Sequence, residues 1–130
     1  MTQGTPKVLL IDDEPALLKM MGVYLTRRGF TVLISDSAEK GWDLFSTAPS
    51  EITVAVIDAT IGGIGMQEVA ERMLAANSTI RIITASGYPV NVEALETAAP
   101  GRVMFLQKPF SPEMLASTVR RMLAGKEEDV

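Results

Sequence analysis

The residues of this chain that could do chemistry are mainly aspartates that follow short apolar runs. Asp12 and Asp13 come directly after the run 7–11, and Asp58 comes directly after the run 53–57. If the two runs are neighbouring strands, these carboxylates meet and repel one another, so the site favours a retained proton or a divalent cation. Because the ligand atoms are all oxygens, the pattern suits Mg²⁺ or Mn²⁺ and does not suit zinc.

A hydroxyl and an ammonium group follow two further apolar runs. Thr84 follows the run 80–83, and Lys108 stands just after the run 103–106. A metal ion, an ammonium group and a hydroxyl around an aspartate provide the surroundings in which a carboxylate can accept a phosphoryl group. Taken singly, an Asp after a strand is more often a turn or a helix cap, and Asp13 suits the cap of a first helix. It is the joint placement of these residues that indicates phosphoryl chemistry.

The elements that must position these side chains alternate along the chain. Short β-branched runs, each bounded by Gly, Pro or Asp, alternate with segments of helical periodicity. The predicted strands are 7–11, 30–34, 53–57, 80–83 and 103–106. Because the runs are apolar throughout, we expect every strand to be covered on both faces. Strand–helix units in this order predict an α/β fold with a parallel sheet, whose ligands bind beyond the carboxyl ends of the strands.

The composition excludes several kinds of site. The 130 residues contain no Cys, which excludes disulfides, thiolate catalysis and Cys-ligated metal centres. They also contain no His, which excludes imidazole bases, Ser-His-Asp triads and a phosphohistidine on this chain. The formal net charge is −4, from 12 basic and 16 acidic residues, and an acidic chain is poorly suited to direct binding of nucleic acid.

The length and the apolar pattern also predict how the chain is organised. We expect a single domain over residues 1–130, with a core from about 7 to 123. The apolar stretches are far shorter than the roughly 20 residues of a membrane span, and the first residues do not read as a signal peptide. We therefore expect a cytoplasmic protein without membrane insertion.

Four segments together resemble the receiver domains of two-component response regulators. They are Val8–Pro15, Val56–Asp58, Ile83–Tyr88 and Phe105–Phe110. The segments around Ser86–Tyr88 and Leu106–Phe110 are most similar to receivers attached to hybrid sensor histidine kinases. The resemblance covers nearly the whole chain and implies a flavodoxin-like (βα)5 fold, with a five-stranded parallel sheet of order 2-1-3-4-5 and helices on both faces.

The same resemblance implies a role for each site residue. Asp58 would accept a phosphoryl group from the phosphohistidine of a partner histidine kinase or histidine phosphotransfer protein. Asp12, Asp13 and Asp58 would hold Mg²⁺ together with the main-chain carbonyl of Thr60. Lys108 would pair with the phosphoryl oxygens. The chain would thus catalyse its own phosphorylation and slow dephosphorylation, and it is not expected to be a turnover enzyme.

Two further residues form the implied switch. Thr84 would move to hydrogen-bond the phosphoryl group, and Phe105 would move inward into the space that Thr84 leaves. The output would be a changed binding surface for a downstream protein target or for a second copy of the chain. The resemblance also implies a cis peptide between Lys108 and Pro109.

The segment after Asp58 departs from the family pattern. Ile61 and Gly62 stand where the family has Met-Pro, and Met66 stands where it has Gly. One interpretation is loop variation; another is a receiver-fold interaction module that acts without phosphorylation. A phosphatase of the haloacid-dehalogenase type is a third, but that chemistry needs Asp-x-Asp after the first strand, and this chain has adjacent aspartates there.

Overall fold

The computed structural model describes residues 6–124 and contains one five-stranded parallel sheet. The strands are β1 (Lys7–Ile11), β2 (Thr31–Ser35), β3 (Ile52–Asp58), β4 (Arg81–Ser86) and β5 (Val103–Gln107). The helices are α1 (Pro15–Arg27), α2 (Ala38–Thr47), α3 (Gly65–Ala76), α4 (Glu93–Ala98) and α5 (Pro112–Ala124), with a 3₁₀ turn at Pro49–Glu51. The strand order is β2-β1-β3-β4-β5, which confirms the expected flavodoxin-like fold. The outermost residues of the expected 1–130 domain lie outside the described range.

The sheet separates two apolar cores because successive side chains of a strand point to opposite faces. Along β1, Leu9 and Ile11 pack against α2 and α3, whereas Val8 and Leu10 pack against α1 and α5. All four are at most 1% exposed. The two cores hold the strands in one register, so the carboxyl ends of β1, β3 and β4 come together at one edge. No helix among residues 6–124 is long and apolar enough to cross a membrane.

The helices cover the strands of the sheet less completely than the sequence predicts. β2 lies at the edge of the sheet, and its Ile34 is 50% exposed. The expectation that all five strands are covered on both faces is therefore wrong for β2. An edge strand has a neighbour on one side only, and the strand order that puts β2 there is not visible in its own residues.

The start of α2 follows local capping chemistry, whereas the start of α1 does not follow the sequence prediction. The Ser37 hydroxyl accepts a hydrogen bond from the Lys40 amide at 3.1 Å and caps α2. Asp13 does not cap α1, contrary to the sequence interpretation: Glu14 occupies the cap position and forms no side-chain cap bond. The Glu14 amide instead donates to Asp12 Oδ1 at 3.0 Å. Because it is not needed as a cap, the Asp13 carboxylate remains available to the site.

Candidate functional site

Three carboxylates meet at the carboxyl edge of the sheet. Asp58 ends β3, and Asp12 and Asp13 follow β1, its hydrogen-bonded neighbour. One carboxylate oxygen from each lies within 4.8 Å of the others, and we call these residues the acidic triad. Asp12 and Asp58 are buried at 4% and 3% exposure, whereas Asp13 is exposed. The triad is thus open to solvent on one side and enclosed on the other.

Lys108 brings the positive charge that the sequence predicts for this edge. Its ammonium Nζ lies 2.9 Å from Asp12 Oδ2 and 3.7 Å from Asp58 Oδ2. The Lys108 amide donates to the Ser86 carbonyl at 2.8 Å, which fixes the end of β5 beside the end of β4. The peptide between Lys108 and Pro109 is cis, as the resemblance implies. The three carboxylates still outnumber the one ammonium group.

The ionisation of Asp12 and Lys108 reflects this crowding. Burial raises the pKa of Asp12, and the nearby Asp58 charge adds to the effect, although Lys108 and the Glu14 amide act in the opposite direction. Burial alone would lower the pKa of Lys108, but its hydrogen bond to Asp12 and the charges of Asp12 and Asp58 raise the pKa overall. The pair therefore places an ammonium group beside a carboxylate whose charged form is disfavoured by burial.

The two oxygens of Asp58 have different surroundings. Asp58 Oδ1 accepts hydrogen bonds from the Thr60 amide at 3.0 Å and from the Thr60 hydroxyl at 2.9 Å. Asp58 Oδ2 lies on the Lys108 side and, among the described residues, accepts no hydrogen bond from an amide or hydroxyl. Oδ2 is thus the oxygen available to a ligand. The sequence did not predict the contact of the Thr60 hydroxyl with Asp58.

Thr84 lies on β4 at a place where a polar side chain is unusual. The residue is fully buried, and its hydroxyl is the buried side-chain polar atom that lacks a hydrogen-bond partner within residues 6–124. It stands inside the strand, in register with Ile57 of β3 and Phe105 of β5, so the expectation that β4 ends there is wrong. Phe105 is half-buried. An unpaired buried hydroxyl is costly and calls for a function.

The loop from Ile61 to Met66 lies between the site at the end of β3 and the first turn of α3. Ile61 and Met66 are both 6% exposed and anchor its two ends in the core. Between them, the Ile64 amide donates to Glu39 Oε2 at 3.0 Å, although Glu39 belongs to α2. Sequence reasoning missed this contact, because no local pattern links residues that are 25 positions apart.

Comparison with known proteins gives one family for almost the whole chain. The family model described as the response regulator receiver domain matches residues 8–120. The chain is 31% identical over 125 residues to the sensor kinase CckA of Brucella abortus, covering 95% of this chain and 13% of that protein. It is 26% identical over 124 residues to the DNA-binding response regulator MtrA of Mycolicibacterium smegmatis, covering 95% of this chain and 53% of that protein. The chain thus spans only part of these relatives.

Solved structures agree on the fold. A response regulator receiver domain protein of Clostridium thermocellum matches with a TM-score of 0.81 at 21% identity, over 96% of this chain and 99% of that one. The receiver domain of the hybrid histidine kinase CckA matches with a TM-score of 0.77 at 23% identity, over 90% of this chain and 98% of that one. With the family match over residues 8–120, these findings show that the chain belongs to the response regulator receiver domain family of two-component systems, and that hybrid-kinase receivers are among its relatives.

Proposed function

We propose that this chain is the phosphoacceptor of a His-to-Asp signalling system and is phosphorylated on Asp58. The observation that carries the proposal is the acidic triad with Lys108 beside it at the carboxyl edge of the sheet. Membership of the receiver family supports it, because receivers act in two-component signalling. The donor would be a phosphohistidine on a partner histidine kinase or histidine phosphotransfer protein, since this chain has no His of its own.

The contacts of Asp58 select the attacking atom. Oδ1 is occupied by the Thr60 amide and hydroxyl, so Oδ2 would attack the phosphorus. The bond from Oδ2 to phosphorus forms while the nitrogen–phosphorus bond of the donor breaks, and its electron pair stays on the imidazole nitrogen. Lys108, 3.7 Å from Oδ2, would then pair with the phosphoryl oxygens that carry the charge.

The donor set fits a hard divalent cation. Asp12, Asp13, Asp58 and the main-chain carbonyl of Thr60 would hold Mg²⁺, with Mn²⁺ as a substitute, because all four supply oxygen. Burial is the main cause of the raised pKa of Asp12, and the charge of Asp58 adds to it, so a bound cation would favour the charged form of this carboxylate. When bound, the cation would offset the repulsion between the triad and an incoming phosphoryl group.

Thr84 and Phe105 would convert phosphorylation into a changed surface. The Thr84 hydroxyl has no partner in the described part of the chain, so a phosphoryl oxygen would give it one. Phe105 is its register neighbour on β5 and would move inward as Thr84 moves. The changed surface would bind a downstream protein target. We propose that this signalling takes place in the cytoplasm and that the chain is a single domain.

The test is phosphorylation by acetyl phosphate in the presence of Mg²⁺. Intact-mass spectrometry should show the addition of one phosphoryl group to the chain, and Asp58→Asn should abolish it. Asp36→Asn, which changes an exposed aspartate paired with Lys40, serves as the matched control and should be phosphorylated normally. An adduct that persists in Asp58→Asn would reject the assignment of Asp58.

The segment from Ile61 to Met66, which departs from the family pattern, motivates an alternative function. If the chain acts as an interaction module without phosphorylation, acetyl phosphate should give no adduct, and partner affinity should not respond to Mg²⁺ with beryllofluoride. A phosphatase would instead hydrolyse a generic phosphomonoester, and we expect no such turnover. Absence of an adduct, a partner affinity that ignores Mg²⁺ with beryllofluoride, or turnover of a phosphomonoester would each contradict the proposed function.

A further inference from the structure

A hydrogen bond connects the glycine-rich part of the loop beside the phosphoacceptor to α2. Three of the four residues 62–65 are glycine, and glycine loses the most conformational freedom when it is ordered. Gly62 and Gly63 are exposed, and Ile64 is only partly buried. The residues of the loop restrict its conformation only weakly. The hydrogen bond from the Ile64 amide to the Glu39 carboxylate therefore supplies a restraint that the loop itself lacks.

Glu39 also supplies what the start of α3 lacks. Ile64 occupies the cap position of α3 but provides no side-chain cap bond. The first amides of a helix need acceptors, and a negative charge near them is favourable. The Glu39 carboxylate on α2 accepts the hydrogen bond of the Ile64 amide and places a negative charge beside it. The start of α3 is therefore capped by a residue of a different helix.

The backbone of the loop is shaped around this carboxylate. A Cβ atom on Gly63 would overlap both carboxylate oxygens of Glu39, whereas a Cβ atom on Gly65 would meet nothing within 4 Å. Both glycines have positive φ, at 74° and 84°. Gly63 thus differs from Gly65 in its contact with Glu39, whereas the φ angles of the two glycines are similar.

From these contacts we propose that Glu39 is a positioning residue for phosphoryl acceptance, a proposal that rests on the proposed function. Its carboxylate holds the loop at Ile64 and so fixes the backbone that runs from Thr60, an expected metal ligand, into α3. Without this tie, the loop must be ordered each time a cation and a phosphoryl group bind. Within residues 6–124, Glu39 forms no hydrogen bond or ion pair with the triad or with Lys108.

The first measurement needs no phosphoryl group. In Glu39→Ala, hydrogen exchange at the Ile64 amide should accelerate about tenfold, the loss expected for one hydrogen bond to a charged acceptor. Glu39→Gln keeps an acceptor oxygen and should restore most of the protection. Glu113→Ala removes an exposed first-turn glutamate of α5 and should leave Ile64 unchanged. Unchanged exchange in Glu39→Ala would overturn the proposal.

The second measurement separates positioning from plain structural support. With acetyl phosphate, Glu39→Ala should raise the Mg²⁺ concentration needed for half-maximal phosphorylation by about three- to tenfold, while the rate at saturating Mg²⁺ recovers. Glu39→Gln should lie close to the native chain. An altered Ile64 exchange with an unaltered Mg²⁺ dependence would show that the contact is structural only, and would overturn the proposal.

A double-mutant cycle tests the pairing with Gly63. Gly63→Ala should accelerate Ile64 exchange in the native background but have a smaller effect in Glu39→Ala, because the displaced contact is already absent. Gly65→Ala should have the same effect in both backgrounds, and equal behaviour of the two glycines would contradict the pairing. If the native chain accepts no phosphoryl group, the proposed function fails, while Ile64 exchange and an NMR titration with Mg²⁺ still decide the role of Glu39.

Discussion

Asp12 and Lys108 illustrate the energetic compromise within this site. Asp12 is 4% exposed and its pKa is raised by burial, yet it lies in an ion pair of 2.9 Å with Lys108. An ion pair at a buried place compensates desolvation only in part. Asp58, 3.7 Å from the same ammonium group, adds further negative charge. Functional sites commonly give up stability in this way.

We predict that Asp12→Asn stabilises the cation-free protein by about 1 kcal/mol at neutral pH. A carboxyl group whose folded pKa is raised contributes its full stability below its unfolded pKa, about 3.9, and loses that contribution as the pH rises through the folded pKa. The advantage of the variant should therefore grow with pH above about 4. Urea unfolding in EDTA at several pH values measures it.

The control for that comparison is Asp13→Asn. Asp13 is the exposed member of the triad, so its replacement should change stability much less. A less stable Asp12→Asn protein at neutral pH would show that the ion pair with Lys108 outweighs the cost of burial.

The buried hydroxyl of Thr84 leads to a second prediction. Thr84→Val keeps the shape of the side chain and removes an unpaired polar group, so the free energy of unfolding should rise by about 1 kcal/mol. Thr118→Val is the matched control, because the Thr118 hydroxyl is buried but donates to the Met114 carbonyl at 2.8 Å. Its replacement should give no gain. Equal gains in thermal unfolding would indicate that the orphan hydroxyl costs nothing.

Helix α2 is set close to the sheet by a single glycine. A Cβ atom on Gly41 would overlap Ile11, which is 1% exposed and lies directly before the triad residue Asp12. A Cβ atom on Gly22 of α1 would lie 3.6 Å from Ile34 Cγ2 of β2, which is ordinary van der Waals contact. The two helical glycines therefore have different roles.

We predict opposite effects for alanine at these two positions. Gly41→Ala should lower the free energy of unfolding by about 1–2 kcal/mol, because crowding of the core outweighs the gain in helix propensity. Gly22→Ala should raise it by up to about 1 kcal/mol, since the propensity gain meets no clash. Chemical denaturation of both variants measures the difference, and stabilisation by Gly41→Ala would contradict the close approach of α2.

The molecule as a whole links the site to global stability. The triad joins the ends of β1 and β3, and Lys108 joins the end of β5, so a ligand at this edge stabilises the native arrangement of the sheet. A ligand that binds the folded state only raises stability according to its concentration relative to its dissociation constant. Cation binding should therefore be visible in unfolding as well as at the site.

We predict that Mg²⁺ raises the free energy of unfolding of the native chain, by about 2.7 kcal/mol at a hundred times its dissociation constant. Asp12→Asn and Asp58→Asn should show a much smaller increase, because each lacks one carboxylate ligand. Urea titrations with Mg²⁺ or EDTA at constant ionic strength give the comparison. The same increase in all three proteins would place the cation elsewhere.

The amino-acid sequence was sufficient to predict the parallel strands and the carboxylates and ammonium group that meet at one edge of the sheet. The order of the strands followed from the family resemblance. This succeeded because apolar runs and the polar residues that follow them are local patterns, and parallel strands bring their carboxyl ends to one edge. The geometry agrees in bringing Asp12, Asp13, Asp58 and Lys108 together. Their roles in phosphorylation stay predictions.

Other features depend on how the elements pack in three dimensions. The contact of Glu39 with Ile64 and the exposure of Ile34 at the sheet edge arise from packing between segments far apart in the chain. No local periodicity encodes such contacts, because their energy depends on distances that exist only after α2, α3 and the sheet have assembled. Residue types and spacing thus define the available chemistry, and tertiary packing decides which atoms are free to perform it.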